Sequence, residues 1–514
     1  IWGMDTYETT RFLRDLYGRG TRVISIGQAG ENLSRIAIIQ TETENAAGQG
    51  GFGGVMGSKR LKAIAVMGTG GVKIARPSEF LGLCLGQSRE GLEPCKPDSN
   101  PRWPSDKTLY GDQSIDLTRF RSHKCGFCSS VCTEKLWMDI PGEVTSERYT
   151  TACLCYGFDL PLNAHVETRA LASKYGINGW EVSYGIIPWL QLCKQNGLIS
   201  DIDGVEIPAP EKPIEYLRDC AKCSADLIVM LLRKIAFREG PIGDALSEGA
   251  CYAADRLFGG KGKPLLDRIY PRRCGQVEHW AGHWGPGGEV HYPLWLPTLL
   301  QWCMDTRDPA SDTSHSWAPH VIRYISKNGP YPLEKTRAVS EKVYGNPDVC
   351  DPAFEYDPPE TKAIPAIWHT DRGMVVDSLV LCDWEHPRVF SMFSEDGAAD
   401  TALMAKLFSA CTGVEMSEDG LQKSGERIFN LLRAIDIRNH RRDRREDERT
   451  IESFMYPGKD DEVMLDRTRF LKLMDKYYEL RGWNKINGWP TRARLEALGL
   501  KNVADKLESI GKIG

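Results

Sequence analysis

Three cysteines lie close together at Cys125, Cys128 and Cys132, in the sequence CGFCSSVC. The C-x2-C-x3-C spacing lets three thiolates face one side of a cubane [4Fe–4S] cluster, which takes its fourth thiolate from elsewhere in the chain. Structural zinc sites differ, since they usually use two separated pairs of ligands. The spacing therefore predicts an iron–sulfur cluster. Chance spacing is the alternative, because the chain holds 16 cysteines.

The fourth thiolate has five candidates later in the chain: Cys274, Cys303, Cys350, Cys382 and Cys411. Cys382 differs from the others because Asp377 and Asp383 bracket the apolar run that contains it, DSLVLCD. Carboxylates placed in this way can accept hydrogen bonds from the N–H groups of a heterocycle. The alternative is a helix N-cap followed by core residues. Both interpretations put the motif at the start of a helix or turn.

The stretch AAGQGGFGGVMGSK, residues 46–59, contains six glycines. Its spacing resembles the dinucleotide fingerprint, but we expect the preceding strand to end near Gln40 and the following segment to enter a strand rather than a helix. A phosphate loop is excluded because the order is Gly-Ser-Lys. Two interpretations remain. The stretch is a connector without a ligand, or its backbone approaches a flat or phosphorylated ligand closely, which glycine permits.

Short β-branched runs at 22–26, 35–40 and 61–67 predict strands of a small mixed or antiparallel sheet. Helical periodicity dominates the rest of the chain, at 164–175, 181–196, 213–238, 244–257, 292–303, 402–411, 424–438 and 466–480. A Pro-rich connector is predicted at 351–366. The charged run at 438–449 is interpreted as a solvated helix end, and no internal repeat is recognised.

These patterns predict an α+β fold, with a partial β-rich N-terminal domain followed by two mostly α-helical domains. We place the domains at residues 1–77, 78–275 and 276–514. The chain has 514 residues, 65 basic and 70 acidic, for a formal net charge of −5. This charge argues against nucleic-acid binding through broad positive potential. No apolar run approaches the roughly 20 residues that span a bilayer, and scattered cysteines in a large chain favour reduced thiols in the cytoplasm.

Four motifs occur together in one order: IGQAGEN at 26–32, the glycine stretch, CGFCSSVC and DSLVLCD. Together they resemble the tungsten-dependent aldehyde:ferredoxin oxidoreductase family. Segments 240–255 and 477–500 are also similar to this family. The resemblance covers nearly the whole chain and implies a divergent member that lacks the N-terminal part of the family's first domain.

The resemblance implies a tungsten or molybdenum centre held by two pyranopterins, with Mg2+ bridging their phosphates, and a [4Fe–4S] cluster. It places cluster ligands at Cys125, Cys128, Cys132 and Cys382. It places pterin contacts at Gln49, Gly50, Gly51, Asn178, Asp377, Cys382 and Asp383. It gives the metal no protein ligand.

The chain departs from the family pattern at four positions. Gln49 stands where the family has arginine, Asn178 where it has an acid, and Val380 where it has glycine. Thr150 takes the place of the glutamate found near the metal in aldehyde-oxidising members. By resemblance, His315 lies near the metal, with a helix-end histidine as the alternative.

Two glutamates could replace the acid that is missing at Thr150. These are Glu147 and Glu181, although a solvated or capping role fits either one.

The implied activity is oxidation of an aldehyde to a carboxylic acid, with electrons passing through the cluster to ferredoxin or an iron–sulfur partner subunit. The expected substrate is a small aldehyde or aryl compound, and a homodimer is compatible with the family. Two alternatives stay open. One is a reductive relative resembling the catalytic subunit of class II benzoyl-CoA reductase. The other is a non-catalytic iron–sulfur electron-transfer paralogue.

Overall fold

The structure, a computed structural model, describes most of the chain. The described residues are 1–41, 46–48, 50–91, 120–122, 136–139, 148–150, 162–179, 181–210, 223–266, 272–274, 277–279, 296–305, 321, 331–382, 386–449, 451 and 465–514. The chain forms two compact units. The first unit comprises Ile1–Gly71, Pro94–Tyr270 and Trp280–Gly282. The second unit comprises Val72–Glu93, Pro271–His279 and His283–Gly514.

The first unit opens with a helix and a small sheet. Helix α1 (Thr6–Tyr17) begins in a capping box, in which the Glu8 N–H donates to the Asp5 carboxylate at 2.8 Å. The sheet contains β1 (Arg22–Ser25), β2 (Ile39–Thr41), β3 (Ala46–Ala47) and β4 (Ala63–Val66). Its order is β3-β2-β1-β4 and every pair is antiparallel. The strand predicted at 35–40 is therefore confirmed only from residue 39.

Short helices connect these strands, and helices make up most of the rest of the first unit. Its further elements are α2 (Gln28–Glu31), α3 (Phe52–Ser58), β5 (Phe120–Ser122), β6 (Leu136–Asp139), β7 (Arg148–Thr150), α5 (Leu162–Tyr175), a π-helix (Glu181–Ile186), α6 (Ile187–Gln195), β8 (Asp201–Ile202), β9 (Val205–Glu206), α7 (Ala225–Phe237), α8 (Gly240–Ser247), α9 (Ala250–Arg256), a 3-10 turn (Leu257–Gly260) and α10 (Lys263–Leu266). Strands β5, β6 and β7 form an antiparallel sheet. The single helix predicted at 244–257 is wrong, because Gly249 at φ 92° separates α8 from α9.

The second unit is built mainly from helices. Its elements are α4 (Pro77–Gly91), β10 (Arg272–Cys274), β11 (Val277–His279), α11 (Leu296–Met304), α12 (Leu333–Tyr344), 3-10 turns (Pro347–Cys350 and Pro352–Phe354), α13 (Glu360–Ser378), α14 (Leu403–Thr412), α15 (Glu418–His440), α16 (Arg444–Arg449), α17 (Arg467–Arg481), α18 (Arg492–Ala497) and α19 (Lys501–Ser509). The predicted helices at 402–411, 424–438 and 466–480 are confirmed as α14, α15 and α17. The connector predicted at 351–366 is wrong in its second half, where α13 begins despite Pro365.

The charged run after α15 enters the core instead of remaining in solvent. Asp447 is fully buried, and its carboxylate accepts hydrogen bonds from Arg433 at 2.8 Å and 2.5 Å, Arg442 at 3.0 Å and Tyr478 at 2.7 Å. Burial alone raises the pKa of Asp447, but the two guanidinium groups outweigh it and hold that pKa below its usual value. The prediction of a solvated helix end is therefore wrong for this part of the run.

The described elements match the predicted α+β class, because small antiparallel sheets accompany a chain that is mostly helical. Within the described ranges, no helix is both long and apolar enough to cross a bilayer.

Lys362 is a buried cation on α13, in the core of the second unit. Its side chain is fully buried, and Nζ donates to the Val349 carbonyl at 3.0 Å. Burial lowers the pKa of Lys362 to about 8 because the charged form loses its hydration. The folded chain therefore binds fewer protons than the unfolded chain between pH 8 and the ordinary lysine pKa of 10.5.

We predict that Lys362 makes stability rise with pH in this window. Between pH 7 and pH 10 its contribution to the free energy of unfolding should increase by about 2 kcal/mol. The measurement is urea unfolding of the wild type and of Lys362→Met at both pH values. The difference between the two proteins should shift in favour of the wild type as pH rises. An equal difference at the two pH values would contradict a buried, titrating Lys362.

Candidate functional site

The glycine stretch contains a helix that the sequence analysis did not predict. Strand β3 leads directly into Gly48, Gly51 adopts a left-handed φ of 67°, and α3 starts at Phe52. The strand expected to end near Gln40 and the strand expected after the stretch are confirmed as β2 and β4, whereas β3 and α3 between them were not expected. A dinucleotide fold is still excluded, but for another reason. It needs parallel strands around the helix, whereas this sheet is antiparallel.

Most glycines of α3 serve packing within the chain. The helix lies against the backbone of residues 34–38, and the Gly53 N–H donates to the Ala37 carbonyl at 3.0 Å. A Cβ on Gly53 would collide with the Ile38 carbonyl, and one on Gly54 would lie 2.6 Å from the Ser34 carbonyl oxygen. A Cβ on Gly57 would collide with Gly30. Gly53, Gly54 and Gly57 have the spacing of residues on one face of a helix. This spacing could have predicted a helix that packs closely against backbone.

The start of the glycine stretch is less crowded than the rest of its described residues. A Cβ on Gly48 would meet nothing within 4 Å. Gly50 has a left-handed φ of 85°, and the nearest neighbour of its Cβ position is the exposed ring of Phe52 at 3.1 Å. Among the described glycines of the stretch, Gly48 and Gly50 thus have the least crowded Cβ positions. Gln49 lies outside the described residues. Gly51 packs on the Arg35 carbonyl.

Asn178 lies on the other side of the same backbone segment. Its N–H donates to the Ile36 carbonyl at 2.9 Å, and the Ile38 N–H donates to the Gly176 carbonyl at 2.9 Å. An isolated antiparallel bridge joins Ala37 to Ile177. Residues 34–38 are therefore held between α3 and the turn that carries Asn178. The first unit brings the glycine stretch and Asn178 together through this shared segment.

The turn before Asn178 is a left-handed helix cap. Helix α5 ends at Tyr175, and Gly176 follows with φ 69°. The Gly176 N–H donates to the Ser173 carbonyl at 3.0 Å, and the Ile177 N–H donates to the Ala172 carbonyl at 2.9 Å. These two bonds form a Schellman motif, in which glycine is the usual left-handed residue.

The same cap closes α13 in the second unit. The Val380 N–H donates to the Asp377 carbonyl at 3.2 Å, and the Leu381 N–H donates to the Val376 carbonyl at 2.9 Å. Cys382 lies two residues after the left-handed residue Val380, just as Asn178 lies two residues after the left-handed residue Gly176. No repeat was recognised in the sequence, but the ends of α5 and α13 share the same Schellman geometry. It also corrects the position of Asp377, which is exposed at the end of a helix and not at its start.

Val380 occupies the left-handed position that Gly176 occupies in the other cap. Its φ is 56° and 90% of its surface is exposed, so packing against the described part of the second unit does little to compensate the strain of a β-branched residue there. Cys382 is exposed two residues later, and its carbonyl accepts the His386 N–H at 2.9 Å. The backbone around Cys382 is thus fixed on both sides, by the cap and by His386.

Several predicted site residues lie outside the described residues, namely Cys125, Cys128, Cys132, Gln49, His315 and Asp383. Thr150 is described in its backbone alone, at the end of β7, where it pairs with Trp137 of β6. Among the residues that the structure describes, no group of three or more His, Cys, Asp or Glu side chains could hold a metal ion.

Glu181, which the sequence offered either as a replacement for the missing acid or in a solvated or capping role, is buried. It is 4% exposed and is the first residue of the π-helix, three residues after Asn178. Its backbone N–H donates to the Asn178 side-chain oxygen at 3.4 Å. The sequence feature that could have predicted this burial is its position about one helical turn after Gly176-Ile177-Asn178. The first unit thus buries an acidic residue three positions after Asn178.

We predict that Val380→Gly stabilises the second unit, because glycine adopts the left-handed cap without strain. The gain in the free energy of unfolding should be about 1 kcal/mol, after the greater chain entropy of unfolded glycine is subtracted. The matched variant is Gly176→Val, which should destabilise because its Cβ would lie 2.8 Å from the Gly27 nitrogen. Chemical denaturation of both variants checks the pair. A loss of stability in Val380→Gly would refute strain at this cap.

Comparison with known proteins connects these features to one family. The family model for domains 2 and 3 of aldehyde ferredoxin oxidoreductase matches residues 97–500, and the model for its N-terminal domain matches residues 1–68. A tungsten-containing aldehyde ferredoxin oxidoreductase of Pyrococcus horikoshii is 25% identical over 545 aligned positions, covering 98% of this chain and 77% of the relative. Its counterpart in Pyrococcus furiosus is 25% identical over 533 positions, covering 97% of this chain and 77% of that relative.

A solved structure shares the fold. It is the active-site complex BamBC of benzoyl coenzyme A reductase with 1,5-dienoyl-CoA, with a TM-score of 0.72 and 22% sequence identity. The match covers 100% of this chain and 78% of that one. At this identity the likeness concerns the fold alone. The two family models together span most of the sequence, and the chain therefore belongs to the aldehyde ferredoxin oxidoreductase family, a family of oxidoreductases with tungsten-pterin and iron–sulfur chemistry.

Proposed function

We propose that this protein oxidises an aldehyde to a carboxylic acid and delivers the electrons to ferredoxin or to an iron–sulfur partner subunit. The observation that carries the proposal is the match of both family models, over residues 1–68 and 97–500. An aldehyde and water give the acid, two electrons and two protons. A small aldehyde fits this proposal, and we place the reaction in an anaerobic cytoplasm.

The described residues fit the cofactors of this proposal at three places. Gly48 offers open backbone, Asn178 offers a buried amide and Cys382 offers an exposed thiol. Two pyranopterins would contact Gln49, Gly50, Gly51, Asn178, Asp377, Cys382 and Asp383, with Mg2+ at their phosphates. The [4Fe–4S] cluster would take Cys125, Cys128, Cys132 and Cys382.

When bound, the tungsten or molybdenum centre supplies two-electron redox chemistry and the cluster passes single electrons onward. The chain itself has to orient the aldehyde and accept a proton. We assign proton acceptance to His315, because imidazole is the side chain that most often exchanges protons near neutral pH. A threonine hydroxyl is too weak a base to accept the proton that the family's glutamate would accept. Thr150 would therefore only orient the substrate, by a hydrogen bond through its hydroxyl.

We predict that the protein, isolated without oxygen, contains tungsten or molybdenum together with about four iron atoms per chain. Elemental analysis checks this, and reduction of a viologen dye by a panel of aldehydes checks the activity. His315→Gln should keep the metals and lose most of the turnover, because the proton acceptor is removed.

Cysteine variants provide the matched comparison for the cluster. Cys125→Ser should lose iron, whereas Cys411→Ser, on α14, should retain it. Iron without tungsten or molybdenum would rule out the catalytic proposal. Full metal content with no response to any aldehyde would rule out aldehyde oxidation.

A further inference from the structure

The segment that follows Cys382 contacts a side chain from a distant part of the sequence. His386 is 5% exposed, and its backbone N–H donates to the Cys382 carbonyl at 2.9 Å. The Nε2 atom of its imidazole lies 2.8 Å from the Nε2 atom of Gln87, on α4. A side-chain amide can donate to an imidazole nitrogen or, when turned over, accept from one. The two side chains are therefore hydrogen-bonded in either tautomer of the histidine.

Helix α4 is attached to α14 at its own start. The backbone N–H groups of Ala75 and Arg76 donate to the Cys411 and Ala410 carbonyls, at the end of α14, at 3.0 Å and 2.9 Å. Gln87 lies near the other end of α4. This helix thus connects the end of α14 to the segment that contains His386, and both contacts lie within the second unit.

A cavity of about 250 Å³ lies along the contact between the two side chains. Gln87 and His386 line it together with Gly82 and Gly86 of α4 and Met404 of α14. The glycines supply no side chain that could fill this space. A void provides no packing contact, so the imidazole has room to turn if the amide that holds it is removed. The position of the His386 ring therefore depends on Gln87.

We propose that Gln87 is a positioning residue for the [4Fe–4S] cluster, because through His386 it fixes the backbone of Cys382. This inference rests on the proposed function, since it needs a cluster with Cys382 as its fourth ligand. Groups behind the ligands of a metal site orient those ligands and tune the site. The cap of α13 holds the backbone before Cys382, and the pair of Gln87 and His386 holds it afterwards.

The test measures how firmly the protein holds its cluster, independently of turnover. Wild type, Gln87→Leu and Gln87→Glu are purified without oxygen, and iron release to a coloured chelator is timed below their unfolding temperatures. Gln87→Leu should release iron roughly fivefold faster, because one hydrogen bond that fixes the turn is lost. It should also shift the electron paramagnetic resonance spectrum of the reduced cluster, because that spectrum depends on ligand geometry. Gln87→Glu should stay near the wild type in both measurements, because its carboxylate can still accept from the imidazole.

A double variant and a surface variant serve as controls. Gln87→Leu/His386→Leu should release iron no faster than His386→Leu alone, because the two side chains act through one contact. Leu85→Ala, at an exposed position of the same helix, should match the wild type in release rate and spectrum.

Two results would overturn the role of Gln87. One is wild-type iron release and an unchanged spectrum in Gln87→Leu. The other is faster release from Gln87→Leu and Gln87→Glu alike, with a lower thermal midpoint and an unchanged spectrum, which would mark the contact as merely structural. A wild-type protein that contains no iron would instead refute the proposed function, and the role of Gln87 with it.

Discussion

The first unit depends on close backbone contact around residues 34–38. This segment is bound by α3 on one side and by the turn of Gly176 to Asn178 on the other. The α3 contact tolerates no Cβ at Gly51, Gly53 or Gly54, because the added atom would meet carbonyl groups of this segment that cannot move independently. At Gly176 an added Cβ would instead meet the Gly27 nitrogen at 2.8 Å. Ala29, Ile36 and Ala37 join the helical core of the same unit, so the segment is also anchored by apolar packing. The positions of the glycine stretch and of Asn178 both follow from it.

The second unit uses a different constraint, namely buried charge that is fully paired. Asp447 receives four hydrogen bonds, and Arg442 also donates to the Cys303 and Asp305 carbonyls at 3.0 Å and 2.7 Å. The network therefore ties the end of α11 to α16 and α17. Removing a single member would leave a charge without its partner in the core, which is why such networks specify one arrangement of helices.

Sequence reasoning succeeded where a pattern is local. The apolar periodicity of 164–175, 402–411 and 466–480 predicted α5, α14 and α17, because each of these helices buries one face. The prediction of helix boundaries failed where the usual start and stop residues were absent. Helix α13 contains Pro365, and its left-handed cap carries Val380 instead of glycine, so both its start and its end were hidden.

The sequence predicted where the motifs of the candidate site lie along the chain, but not their conformation or burial. A glycine-rich run predicts a loop, yet Gly53, Gly54 and Gly57 form a helix because the tertiary contact rewards the missing side chains. Charged residues predict solvent exposure, yet Glu181 and Asp447 are buried, since burial of a charge depends on partners distant in sequence. The resemblance to the family supplied positions, and the structure supplies the turns that hold them.

Under the proposed function, the glycine stretch divides into the packing helix α3 and an open edge at Gly48 that receives the cofactor. Tungsten content and thermal midpoint, measured together for Gly48→Ala and Gly53→Ala, test it most directly. Gly48→Ala should unfold at the wild-type temperature and lose most of its tungsten, because the methyl group enters open space at the edge. Gly53→Ala should unfold at a lower temperature, because its methyl group collides with Ile38. Gly48→Ala with full tungsten at the wild-type midpoint would contradict a cofactor-binding role for this edge.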